Sequence, residues 1–123
     1  MTKGQFNTAM HVIDRILDAG AYAKTIYALR EISQQTKEVR QKLASEELGL
    51  LEKFNGSVNA DGRVVFKDDD TEREFRKALL EQVQEEVDVK VNPVELSLDE
   101  LDGVRITSEE FEAVSENFIN FAR

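Results

Sequence analysis

The chain has 123 residues, of which 41% are hydrophobic and 33% charged, with a net charge of -9 and no cysteine. That length supports one domain, 1–123, with a modest core, and it excludes two ordinary ones, while the lack of cysteine excludes disulfides and thiolate metal centres. Residues 1–67 carry 10 Lys and Arg against 8 Asp and Glu, whereas 68–123 carry 6 against 17, a distribution that argues against direct nucleic-acid binding.

Phe6, Met10, Ile13 and Leu17 recur at four, three and four residues, which predicts a first helix stopped by Gly20. From Tyr22 the apolar period resumes and runs to Phe54 with no proline to break it, predicting one long amphipathic helix over 22–54. Thr36, Glu46 and Glu47 interrupt its stripe, and Gly49 weakens it, so a kink or end is expected between Ser45 and Gly49. The seam carried by Tyr22, Ile26, Leu29, Val39, Leu43 and Leu50 is longer than the first helix covers, so either the C-terminal helices or another chain must pack there, and self-association through these residues is expected.

After Phe54 the pattern changes. Turn signals around short β-prone pieces in "NGSVNADGRVVF" predict a small hairpin closed at Asn59–Gly62, with Val64 and Phe66 on one side and Val65 on the other. The run "DDDTEREFRKALLEQVQEE" predicts a helix with Phe75, Leu79, Leu80 and Val83 on one face and acids at its N-terminus, where the helix dipole favours them. Val87, Val89 and Val91 alternate with Asp88 and Lys90, which predicts a short half-buried strand that Pro93 either makes an edge strand or ends. Two capping boxes follow, Ser97 to Glu100 and Thr107 to Glu110; the second opens a last helix whose face is Phe111, Val114, Phe118 and Phe121. The expected fold is α+β: a helix-dominated single domain with one long amphipathic helix, a small β-hairpin and a short edge strand. Residues 1–54 form its helical part and 55–123 its acidic α+β part.

Residues 57–68, "SVNADGRVVFKD", nearly fit an EF-hand calcium loop. With Gly62 at the sixth position, Asp61, Asn59 and Asp68 fall on ligand positions, but Ser57 stands where the first carboxylate belongs and Asp68 replaces the bidentate Glu. A turn is the favoured reading. Asp68, Asp69 and Asp70 read as a helix cap with dipole-favoured neighbours rather than a magnesium site. His11 and Asp14 stand at the spacing of a general-base pair with no nucleophile motif to serve, so a surface pair is preferred. No catalytic residue, metal ligand or cofactor site is assigned.

What remains points to binding. Glu81, Glu85, Glu86, Asp88, Glu95, Asp99, Glu100 and Asp102 form a candidate acidic strip for a protein partner. The order of an N-terminal helix, a long charged helix ending in "LLEKF", a hairpin "NADGRVVF", a helix "EFRKALLEQVQEEVDV" and then "LSLDELDGVRITSEEFEAV" resembles a family of small acidic tailed-bacteriophage proteins of unassigned function. The terminal "SENFINFAR" departs from the family's tail. The resemblance implies a viral setting, in the host cytoplasm or the virion, and supplies no catalytic residues. It implies an accessory protein that binds another protein, in virion assembly or structure; the alternative is an inhibitor of a host or defence protein through an acidic surface imitating nucleic acid.

Overall fold

A computed structural model describes residues 1–101 and 103–122. The protein is a helix-dominated α+β fold, with five α-helices, one two-stranded antiparallel hairpin and one two-stranded parallel pair among the described residues. Helix α1 (Lys3–Ala19) is its axis. Thr2 caps it reciprocally with Gln5, and Gly20, at φ 87°, stops it with a backbone N–H to the Leu17 carbonyl. Phe6, Ala9, Met10, Val12, Ile13 and Ile16 are all buried, too many for one narrow stripe, because α1 is covered from more than one side.

The expected long helix is two. Helix α2 (Ala23–Gln35) and helix α3 (Lys37–Lys53) meet at Thr36, while the helix runs unbroken through Ser45–Gly49. The cause lies in the Thr36 side chain, which is fully buried and whose hydroxyl donates to the Ile32 carbonyl at 2.8 Å. That carbonyl also accepts the Thr36 backbone N–H at 3.0 Å, and such back-bonding bends helices. The bend turns Leu29 and Ile32 of α2 and Leu43 of α3 into one common core.

Helix α3 ends with Asn55 in the left-handed region at φ 55°, its N–H bonded to the Glu52 carbonyl and the Gly56 N–H to that of Leu51. The hairpin follows as expected: β1 (Ser57–Val58) pairs antiparallel with β2 (Val64–Val65), and Gly62, at φ 78°, completes the turn. Helix α4 (Asp69–Val83) starts at Asp68, whose carboxylate accepts the Thr71 N–H at 2.8 Å, a bond that holds its carboxyl below the usual range. Leu80, expected on the inner face of α4, is 63% exposed.

Two expectations fail in the C-terminal part. Val87, Val89 and Val91 are half-buried and alternate with exposed Asp88 and Lys90, but they form no strand ladder; the three valines pack against the core. The strand comes after Pro93 instead: β3 (Val94–Ser97) pairs in parallel with β4 (Ile119–Ala122). Between them stand a 3-10 turn (Leu98–Leu101) and helix α5 (Ser108–Asn117), which opens on the expected Thr107–Glu110 capping box. Phe118 and Ile119 are buried, and the Phe121 ring stacks on Phe111 at 4.9 Å, so Phe121 reaches that partner from a strand and not from a fourth helical turn.

Candidate functional site

The EF-hand-like loop is a turn built on Asn59. Its Oδ1 accepts the backbone N–H groups of Asp61 and Arg63, both at 3.0 Å, while its own N–H donates to the Arg63 carbonyl at 2.8 Å. Among the described residues no group of three or more His, Asp or Glu comes together as a metal would need. Asp14 faces Arg40 across the α1–α3 gap at 2.8 Å, which gives this carboxylate a cation for a partner in place of the expected His11.

The acidic candidates divide into two groups. Glu85 joins Glu46 around Lys3 (2.8 and 2.6 Å), a side chain 11% exposed, and the hydrogen bonds that its ammonium donates to Glu46 and Glu85 raise the Lys3 pKa. Glu86 pairs with the N-terminal ammonium of Met1 at 3.1 Å. Glu100 accepts from the buried Thr25 hydroxyl and, at 2.7 Å, from the Ser97 N–H; these two bonds lower its pKa and tie α2 to the 3-10 turn. Glu85 and Glu86 keep side chains 60% and 76% exposed, so their ion pairs are surface pairs, while Glu100 is half-buried and links two elements. Glu81, Asp88, Glu95 and Asp99 are exposed, and Asp102 lies outside the described residues.

The seam expected for self-association is largely the chain's own core. Leu29 and Leu43 are buried, Ile26, Val39 and Leu50 are half-buried, and Tyr22 alone of the six is exposed. The bend at Thr36 is the reason, since it wraps the stripe around α1. What the chain leaves uncovered lies on a different flank of α3. Ala44, Glu47, Leu48 and Leu51 of α3, Val64 of the hairpin and Phe75 and Leu79 of α4 line an open groove of about 440 Å³. Leu48 is 55% exposed and Val64 44%. Beneath the hairpin, Phe75 meets Phe54 and Phe66 at ring distances of 6.1 and 4.9 Å, so the groove wall rests on a small aromatic cluster. Phe66 packs on Phe75, and Val64, in β2, lines the groove beside it.

A second depression, of about 380 Å³, separates the first turns of α1, the end of α4 and α5, and is lined by Glu109, Glu112 and Glu116 together with Gln5 and Gln84. Sequence reading missed both depressions. The groove had one visible signal, Leu48, an apolar residue off the main stripe of α3.

Fold and surface together define a small α+β domain with an open apolar groove. Comparison with protein-family models, curated proteins and solved structures finds no match. No described helix is long and apolar enough to cross a membrane.

Proposed function

We propose that this chain is a non-enzymatic accessory protein that works by binding another protein, and that the groove between α3, the hairpin and α4 is where it binds. The observation that carries this reading is the groove itself. Leucine, valine and phenylalanine side chains are left in water there although the chain has a buried core elsewhere. Grooves of this composition take the apolar face of a partner helix or strand. The resemblance to tailed-phage proteins supports a viral setting, with a role in virion assembly or structure in the host cytoplasm.

A second reading, inhibition of a host or defence protein through an acidic surface, is favoured by the carboxylate-lined depression on α5. Glu85, Glu86 and Glu100 already have partners within the chain, which weighs against it, although Glu85 and Glu86 stay exposed.

Affinity capture from infected cells separates the two. Leu48→Asp and Val64→Asp, both at exposed positions, should abolish capture of a specific partner by placing a charge in a desolvated contact, while Glu81→Lys with Asp88→Lys should leave it intact. The opposite pattern would transfer the function to the acidic surface.

A further inference from the structure

We infer that the occupant of this face is a second copy of the chain, bound through an antiparallel pairing of α3 with α3. The inference rests on the reading above that the protein works by protein docking, and it names the partner and the register. Lys37, Gln41, Ala44, Leu48 and Glu52 recur along α3 at four, three, four and four residues, so they share one narrow face, and all five are exposed. Ala44 and Leu48 are also the lip of the apolar groove.

Charge chooses the partner and its direction. The first half of α3 holds Lys37, Arg40 and Lys42 with one acid, Glu38; the second half holds Glu46, Glu47 and Glu52 with one base, Lys53. Arg40 and Glu46 are already engaged, by Asp14 and Lys3. Lys37, Lys42, Glu47 and Glu52 make no ion pair among the described residues. A parallel copy would stack these charges like on like. An antiparallel copy, related by a two-fold axis between Ala44 and Ser45, sets Lys37 opposite Glu52 of the second copy and Gln41 opposite Leu48 of the second copy, and repeats both pairs by symmetry. The small side chains at the axis let the helices approach at the short end of the usual spacing of about 8–10 Å. In that position the second helix shields Leu48 and covers the mouth of the groove.

The test is a charge swap read by sedimentation equilibrium. The full-length chain should be a dimer. Lys37→Glu sets acid against acid at both ends of the pairing and Glu52→Lys sets base against base, so each variant alone should dimerise at least about tenfold more weakly. An equimolar mixture of the two variants should recover dimers of mixed composition, and the double variant Lys37→Glu/Glu52→Lys should recover them by itself. Both positions are exposed, so unchanged circular dichroism will show that folding is not the cause. A monomeric wild type, single reversals without effect, or a mixture that stays as weak as its components would each overturn the inference. If that happens while Leu48→Asp still abolishes capture of a partner, the docking function survives and only the second copy is excluded.

Discussion

Arg15 and Glu110 join the axial helix to α5 by an ion pair of 2.7 Å, and the Arg15 guanidinium also donates to the Arg105 carbonyl at 3.0 Å. The Glu110 carboxylate closes the α5 capping box as well, accepting the Thr107 N–H at 2.9 Å. Arg15 first, and then that N–H, hold its carboxyl at about 2, against an ordinary value of 4.5. A depressed carboxylate adds stability that is fully present above its unfolded pKa and lost as the pH falls through its folded one. Glu110→Gln should therefore melt at a lower temperature than wild type at neutral pH. The gap should close as the pH falls from 4.5 to about 2. Melting curves that stay equally separated across that window would show that the ion pair does not contribute through its charge.

At the scale of elements, the hairpin depends on a close approach at Gly56. A Cβ there would meet Phe66 Cε1 at 2.8 Å and crowd Leu51 Cδ1 still more. Gly56→Ala should therefore cost about 1–3 kcal/mol in denaturant unfolding, the usual penalty for overpacking. An unchanged midpoint would mean that the hairpin is not seated on α3 as described. Elements with a local signal were legible in the sequence: α1 from Phe6, Met10 and Ile13 and its stop at Gly20, the hairpin from Asn59 to Gly62, and the start of α5 from its capping box. The bend at Thr36 was not, because a threonine inside an apolar stripe reads as a blemish until its burial and its bond to the Ile32 carbonyl are seen. Nor was the β3–β4 pair. Phe118 and Phe121 stand three apart and fit a helical period, and the strand is formed instead because Ile119–Ala122 pairs with Val94–Ser97, a segment distant in sequence.

For the molecule as a whole, the apolar surface is divided. One cluster spanning Phe6 to Ile119 is sealed around α1, and a second, on α3, the hairpin and α4, stays open on one side. This division explains why the candidate site was poorly legible: its walls come from three segments that no periodicity links, and most of the seam residues expected to self-associate fold inward instead. The central claim is that the open side, and not the acidic surface, is where protein docks. A dilution series followed by amide chemical shifts tests it most directly. With rising concentration, shifts should be confined to Lys37–Glu52 of α3 and the groove residues Val64, Phe75 and Leu79, with the acidic positions Glu81, Asp88, Glu95 and Asp99 unmoved. Shifts centred on those acidic positions would contradict it, whereas no shift at any concentration would exclude the second copy alone.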